Sequence, residues 1–339
     1  ASVATASNDH RLGAHEAPPA ILSAFIGKQL THVLEELESL GTIKKDGQSG
    51  MNLDIPKIPE ILLDNTDRNR TTPFAFTGNK FEFRAVGSSQ STSKAMTPLN
   101  LIVADQLIEF KKDVDELIRK KVKKQDAILQ VLRNYISQSK AILFEGNSYS
   151  GEWAEEAARR GLSNIKNTPE ALIQANSEKF QQLYVKHKIL TKREIEARYE
   201  IKMEKYTKQI QIESRVIGDL STNHIIPVAI QYQNILIENV RGLKEVLDTK
   251  TFVKLSKNQL QAIKDISEHI TEIKDTVYKM TEERKVANAL TGIEEQALYY
   301  NRHVLPCFQS IRYHVDKLEL LVDDRLWPLP KYRELLFLK

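Results

Sequence analysis

Cysteine is nearly absent from this sequence, since one residue in 339, Cys307, carries a thiol. A single cysteine excludes an internal disulfide and any metal site built from several cysteines. Cys307 follows Pro306 in an apolar stretch with helical spacing, which favours a buried, unreactive thiol over a nucleophile. The cysteine content therefore indicates a reducing, cytoplasmic compartment.

Long apolar runs and a strong charge of either sign are also missing. No segment approaches the ~20 apolar residues that a membrane-spanning helix needs, and there is no signal-peptide core. The net charge is +4, and the aromatic residues do not alternate with basic ones, so a nucleic-acid surface has little support. We expect a globular protein of about two domains, with no membrane or nucleic-acid partner. Because the chain begins at Ala1 and not at methionine, we also expect an incomplete amino end.

The last third of the chain has the clearest helical periodicity. Two sets of apolar residues recur at alternating spacings of three and four, which places each set along one helix face. These sets are Ile263, Ile266, Ile270, Ile273, Val277 and Met280, and then Phe308, Ile311, Val315, Leu318 and Val322. Thr291 and Gly292 lie between them as a helix end and turn, so we expect the helices to pack antiparallel. A short coiled coil with another subunit would give the same pattern and is the alternative.

Several helix starts are marked by capping residues. The expected N-caps are Thr168 before Pro169 and Glu170, Thr191 with Glu194, and Ser256 with Gln259. Seven basic residues between Lys111 and Lys124 suggest a phosphate-binding surface at first sight. Acidic residues are interspersed among them at helical spacing, so we interpret this segment as a solvated helix face.

Residues 72–84, TPFAFTGNKFEFR, interrupt the helical pattern and predict a β-hairpin with Gly78-Asn79 as its turn. Counting outward from the turn places four phenylalanines on one face, which we expect to be buried: Phe74, Phe76, Phe81 and Phe83. The other face then carries Lys80, Glu82 and Arg84. Charged groups fixed side by side on a strand could form a preorganised site for a charged ligand. The spacing is equally compatible with an edge hairpin whose outer face is simply solvated.

Two stretches of the sequence favour a ligand site at the hairpin over a solvated edge hairpin. In residues 8–21, NDHRLGAHEAPPAI, Arg11 precedes a Glu-Ala-Pro sequence by a short interval. Downstream, NRTT at residues 69–72 is followed by KFEFR at residues 80–84. This ordered set resembles the glutamate flap, the Asn-Arg-Ser segment and the basic-x-Glu-x-Arg strand of glutamine synthetases, and is similar to the long type III branch.

The resemblance implies an α+β fold. Residues 1–215 would be the carboxyl-terminal part of a glutamine synthetase catalytic domain, with a β-hairpin or sheet plus helices. Residues 216–339 would be the mostly α-helical carboxyl-terminal domain of the type III branch, ending near Trp327-Pro328.

The same resemblance implies roles for individual residues. Glu82 would be a ligand for Mg²⁺ or Mn²⁺. Arg84 and Arg11 would bind the carboxylate of the substrate glutamate. Arg70 would bind the nucleotide and stabilise the phosphoryl group in transfer.

Two further residues complete the expected set. Lys80 would bind nucleotide phosphates, at a position where other branches carry an arginine. Glu16 would close the site, exclude water from a γ-glutamyl phosphate and help to remove a proton from ammonia.

Departures from the family pattern limit these expectations. Ala75 or Phe76 stands where other branches have a second arginine, and the Glu-x-Glu strand, Asn-Gly-Ser-Gly loop and His-x-His stretch are not found. We interpret the scattered histidines as structural or superficial: His32, His187, His224, His269, His303 and His314. Part of the active site is therefore missing, and we expect the chain alone to be inactive.

The implied reaction is the ATP-dependent joining of glutamate and ammonia to give glutamine, in a cytoplasmic homo-oligomer of ring type, a dodecamer by family resemblance. A related γ-glutamylamide synthetase or guanidino kinase is one alternative, because the motifs hardly separate these activities. A helical scaffolding module without catalysis is another.

Overall fold

The computed structural model describes residues 4–12, 17–38, 50–51, 61–62, 72–77 and 80–336. The chain forms two compact units, residues 1–199 and residues 200–339. The sequence predicts a boundary at residue 215 between the catalytic part and the carboxyl-terminal domain. This assignment of roles stays a prediction.

The first unit combines short strands with helices. Its strands are β1 (Ala24–Phe25), β2 (Gly50–Met51), β3 (Ile61–Leu62), β4 (Phe74–Phe76) and β5 (Phe81–Phe83). Its helices are α1 (Lys28–Glu38), α2 (Ser93–Arg119), α3 (Lys124–Ser139), α4 (Gly151–Arg159), α5 (Thr168–Ala175) and α6 (Glu178–Lys186), and α7 (Lys192–Asp219) begins here. A three-stranded sheet has the order β1-β4-β5, and β2 pairs antiparallel with β3. Short 3₁₀ segments span Ala6–Arg11 and Lys140–Ile142.

One core cluster of the first unit surrounds Trp153 of α4. Trp153 is 1% exposed and packs with Ile21 and Ala157. Phe144 stacks on the indole with ring centroids 3.7 Å apart, and the Arg160 guanidinium lies 5.3 Å from the ring centroid. This cluster fixes the segment before β1 against α4.

Helices α2 and α3 form a second cluster around Val114, Ala127 and Val131. The chain reverses between them at Lys121, whose φ is 66°. The basic residues of α2 lie outside this cluster, and Lys111 pairs with Asp115 at the surface. The prediction that the basic residues are solvated is confirmed, but the single helix is not, because Lys120, Lys121 and Lys123 lie in the turn between α2 and α3.

The second unit is helical. Its elements are the rest of α7, α8 (Ile226–Val246), α9 (Thr249–Leu255), α10 (Lys257–Ala289), α11 (Ile293–Tyr299), α12 (Leu305–Leu321) and α13 (Tyr332–Leu336). Two π-helical segments, Leu220–Ile225 and Tyr300–Val304, lead into α8 and α12. Pro227 and Pro306 follow these segments. A proline cannot donate to the preceding helical turn, so the wider π turn accommodates it without breaking the helix.

The two predicted apolar stripes pack against each other within the chain. Ile273 of α10 and Ile311 of α12 are fully buried. Thr276 lies 3.5 Å from Ser310, and His269 lies 3.0 Å from His314. Because higher numbers on α10 meet lower numbers on α12, the helices run antiparallel. This prediction is confirmed, and the stripes serve an intrachain contact.

The capping predictions have mixed outcomes. Thr191 and Glu194 form the expected reciprocal box, with N···O distances of 2.8 and 3.3 Å. The cap of α5 is Asn167 and not Thr168, because the Asn167 carboxamide accepts from the Glu170 N–H at 2.9 Å. Ser256 is the residue at the N-cap position of α10, as predicted, but its side chain makes no capping hydrogen bond. Its hydroxyl donates to the Phe252 carbonyl at the end of α9, which runs directly into α10.

Cys307 is 5% exposed, and burial raises the pKa of its thiol. A protonated, buried thiol is a poor nucleophile, in agreement with the structural interpretation. Across the part of the chain that the structure describes, no helix is both long and apolar enough to cross a membrane.

Candidate functional site

The predicted hairpin forms with the predicted register. Strands β4 and β5 pair antiparallel, with Phe74 opposite Phe83, Ala75 opposite Glu82 and Phe76 opposite Phe81. The Thr77 N–H donates to the Lys80 carbonyl at 2.9 Å and closes the strand ends. The expected turn at residues 78–79 lies outside the described residues.

The burial of the two hairpin faces differs from the prediction. Phe81 is 50% exposed and the other three phenylalanines are half-buried, whereas Ala75 on the opposite face is fully buried. The reason is the third strand. β1 pairs in parallel with β4 and places Phe25 beside Ala75, so the methyl group is covered on the face that also carries Glu82. The expectation of a buried phenylalanine face was wrong.

The three charged residues lie together on one face, as predicted. Glu82 lies between two cations, with its carboxylate 3.5 Å from Lys80 Nζ and 3.4 Å from Arg84 Nη2. These distances are long for charge-assisted hydrogen bonds, so Lys80, whose side chain is 66% exposed, can turn toward an anionic ligand at little cost. We call Lys80, Glu82 and Arg84 the polar hairpin face.

Arg84 is the most enclosed member of the polar hairpin face, with 15% of its side chain exposed. Its Nη1 donates to the carbonyl of buried Thr72 at 3.3 Å. Tyr149, from the loop before α4, is close enough to Arg84 for the charge of the guanidinium to act on its hydroxyl. Burial raises the pKa of Tyr149, and the positive charge of Arg84 partly opposes this effect. A guanidinium held this way keeps a fixed direction, which suits recognition of a planar carboxylate.

Arg11 is on the other side of the hairpin. It lines a cavity of about 690 Å³ together with Phe74, Phe81 and Phe83. The polar rim of this cavity comes from the segment before α2, with Ser88, Gln90, Ser91 and Thr92. Arg11 and the polar hairpin face are therefore not brought together among the described residues.

Two other predicted site residues, Glu16 and Arg70, lie outside the described residues. Of the six residues predicted for the site, the structure describes four, and three of these share one face.

The residues that the structure describes do not form a complete site for a divalent cation. No group of three or more histidine, cysteine, aspartate or glutamate side chains there is arranged to hold a metal ion. Glu82 offers hard carboxylate oxygens, but one carboxylate cannot replace enough of the waters of Mg²⁺. The described residues thus fit one metal ligand and not a metal centre.

Sequence reasoning missed two residues that position the site segments. Asp9 accepts a hydrogen bond from the backbone of Thr168 at 2.6 Å, and Tyr149 donates to the Ala17 carbonyl at 2.8 Å. Asp9 lies inside the recognised motif at residues 8–21, but Tyr149 has no motif around it. Only the folded chain brings these partners together.

Comparison with known proteins identifies relatives along the whole chain. A glutamine synthetase from Bacteroides fragilis (strain YCH46) is 48% identical over 342 residues. The type-3 glutamine synthetase of Dictyostelium discoideum is 37% identical over 341 residues, and a glutamine synthetase from Butyrivibrio fibrisolvens is 35% identical over 341 residues. The chain is homologous to glutamine synthetases. The resemblance carried by the motifs is confirmed.

The matched region is nearly all of this chain but only part of each relative. The matches cover 99–100% of this chain but 46–47% of each relative, so the chain spans about half the length of the curated relatives. The family model for the glutamine synthetase C-terminal domain matches residues 127–244. That match begins after the hairpin, so the homology of the polar hairpin face rests on the full-length relatives.

Proposed function

We propose that this chain contributes part of the active site of an ATP-dependent ligase that forms glutamine from glutamate and ammonia. The observation that carries the proposal is the polar hairpin face, in which Glu82 lies between Lys80 and Arg84 at 3.5 and 3.4 Å. The homology to glutamine synthetases over the whole chain supports it.

In the proposed reaction, the γ-carboxylate of glutamate takes the terminal phosphoryl group of ATP and becomes a γ-glutamyl phosphate. Ammonia then attacks the acyl carbon, phosphate leaves, and the amide of glutamine remains. Arg84 would bind a carboxylate of glutamate through its planar fork, and Lys80 would neutralise nucleotide phosphates. Glu82 would contribute one carboxylate to a Mg²⁺ or Mn²⁺ site, and the metal would supply charge neutralisation at the phosphates.

The remaining roles rest on the resemblance alone. Arg70 would stabilise the phosphoryl group in transfer, and Glu16 would exclude water and accept a proton from ammonia. Arg11 would contact glutamate, although its side chain lies at the phenylalanine side of the hairpin. Assembly into a homo-oligomer has the same basis.

A chimera tests the proposal directly. Residues 1–339 would replace the matching 47% of the Bacteroides fragilis relative, and the purified chimera would be assayed for glutamine with ATP, glutamate, ammonia and Mg²⁺ or Mn²⁺. We expect turnover from the chimera and none from the 339-residue chain alone, because one metal ligand cannot assemble the site.

Within the chimera, Glu82→Gln keeps the side-chain shape and removes the charge. We expect turnover to fall by at least about 100-fold and the metal concentration for half-maximal activity to rise. Glu319→Gln is the matched control, since Glu319 lies on α12 in the second unit. A Glu82→Gln chimera as active as the unaltered chimera would refute the role of the polar hairpin face.

A further inference from the structure

Tyr149 occupies a rigid position between the Lys140–Ile142 turn and α4. Its backbone N–H donates to the Asn147 carboxamide at 3.0 Å, and the Ser150 N–H donates to the Asn147 carbonyl at 3.1 Å. The Ser150 hydroxyl then caps α4 by accepting from the Trp153 N–H at 3.1 Å. A side chain on such a fixed backbone can hold a partner in place.

The partner of Tyr149 is the backbone of the segment that leads to the sheet. The phenol donates to the Ala17 carbonyl at 2.8 Å, and Ala17 is 1% exposed. Further along this segment, Ile21 packs against Trp153, and the Ala24 carbonyl accepts from the Phe144 N–H at 3.1 Å. The Tyr149 contact is thus the first of three ties that hold residues 17–25.

The same tyrosine lies within reach of the charge of Arg84. A tyrosine hydroxyl carries its proton at neutral pH, and burial raises the pKa of Tyr149 further, so the phenol can donate to Ala17. The guanidinium of Arg84 is close enough to act on that hydroxyl. Residues 17–25 end in β1, which pairs with β4, and β4 pairs with the strand that carries Glu82. One side chain therefore connects the incoming segment, the sheet and the neighbourhood of Arg84.

We propose that Tyr149 is a positioning residue of the polar hairpin face, which holds Ala17 and thereby fixes the segment through β1 relative to Arg84. The expected consequence is a defined orientation of Arg84 toward the glutamate carboxylate, and this consequence rests on the proposed function. Tyr149 does not touch the reacting atoms in this role. Its effect is on substrate binding and not on the chemical step.

The first experiment tests, in the 339-residue chain, whether the Tyr149 hydroxyl restrains the segment that begins at Ala17. Tyr149→Phe removes the hydroxyl and keeps the ring, and hydrogen–deuterium exchange then reports on the amides of residues 20–25. We expect exchange there to accelerate by about fivefold to tenfold, as loss of one ordinary hydrogen bond would produce, with no change in α12. Unchanged exchange at residues 20–25 would overturn the inference, whatever the activity of the protein.

The matched control is Tyr135→Phe, which removes another tyrosine hydroxyl, one that donates to Asp113 at 2.6 Å. This contact lies between α3 and α2, so the control should leave residues 20–25 as slow as in the unaltered chain. Equal acceleration in both variants would indicate general loosening of the unit and would count against a specific hold by Tyr149.

The second experiment uses the active chimera. With Tyr149→Phe we expect the KM for glutamate to rise about fivefold to tenfold, while kcat and the KM for ATP stay within about twofold. An unchanged KM for glutamate in an active chimera overturns the positioning role. An inactive chimera with the unaltered sequence refutes the proposed function, and with it the consequence for glutamate, while hydrogen exchange still decides whether Tyr149 holds Ala17.

Discussion

The carboxylate of Asp9 accepts a hydrogen bond from the backbone N–H of Thr168 at 2.6 Å, although 159 positions separate the two residues. Thr168 is the first residue of α5, where backbone N–H groups have no partner within the helix. Asp9 is 8% exposed and belongs to the 3₁₀ segment that ends at Arg11. A negative charge at a helix start is also favoured by the helix dipole. This contact therefore fixes the segment bearing Arg11 to the start of α5 within the first unit.

Removing the Asp9 carboxylate should destabilise the first unit. We expect Asp9→Ala to lower the free energy of unfolding by about 1–3 kcal/mol, because a buried N–H loses a charged acceptor. Asp9→Asn keeps an acceptor oxygen and should lose less. Urea unfolding followed by Trp153 fluorescence, with Trp327→Phe as background, reports on this unit alone. Equal stability of the Ala and Asn variants would contradict the acceptor role.

Ala75 should tolerate no larger side chain, because it is fully buried between Phe25 and Glu82. We expect Ala75→Leu to cost about 1–3 kcal/mol through overpacking of the sheet. Phe81→Leu is the control on the opposite face, and with Phe81 50% exposed it should cost less than about 1 kcal/mol. The same fluorescence measurement applies. A larger loss for Phe81→Leu than for Ala75→Leu would restore the original expectation of a buried phenylalanine face.

The ion cluster between α2 and α6 should make the first unit sensitive to acid. Asp105 accepts from Lys186 and His187, each at 2.7 Å, and the hydrogen bond from Lys186 is the main reason its pKa falls below the ordinary 3.8. A depressed folded pKa gives stability that is present above the unfolded pKa and lost as pH falls through the folded value.

The test of this cluster is an NMR titration of the Asp105 carboxyl carbon. We expect Lys186→Gln to raise the pKa of Asp105 toward its ordinary value and to weaken the loss of stability at acid pH. Lys192→Gln is the control, because Lys192 is 71% exposed and pairs with Glu196. An Asp105 pKa that does not change in Lys186→Gln would show that Lys186 is not its main partner.

Local periodicity explains which parts of the fold could be predicted. The stripe containing Ile273 and the pairing of Phe74 with Phe83 depend on spacings of three, four and two residues, which geometry alone sets. The capping box at Thr191 is equally local. Each of these features has its cause within about one helix turn or one hairpin.

The parts that failed depend on distant chain segments. Burial of Ala75 is set by β1, which lies about fifty positions earlier. Tyr149 carries no motif, and its role follows from contact with Ala17. Sequence patterns define faces and registers, but they do not state which face a third element covers.

The paired histidines on α10 and α12 provide the last prediction. His269 Nδ1 lies 3.0 Å from His314 Nδ1, so one nitrogen donates and the other accepts when a single proton lies between them. Burial lowers the pKa of His269 below the ordinary 6.5, and the positive charge of protonated His314 lowers it further. Asp265 and Glu268 oppose this shift, and Lys317 adds to it. Protonation of both imidazoles would place two positive charges side by side.

The direction of the pH dependence of stability follows from linkage. The His269 imidazole takes up a proton more readily in the unfolded chain than in the folded one, so acid favours unfolding. We expect the contribution of His269 to stability to be constant above about pH 6.5 and to fall as pH decreases through its folded pKa. In His314→Asn the second charge is absent, so NMR titration should show the pKa of His269 moving upward, with a smaller loss of stability in acid. His32→Asn, in the first unit, should leave that pKa unchanged. A His269 that titrates at or above 6.5 in the unaltered chain would show that the pair does not couple as its geometry indicates.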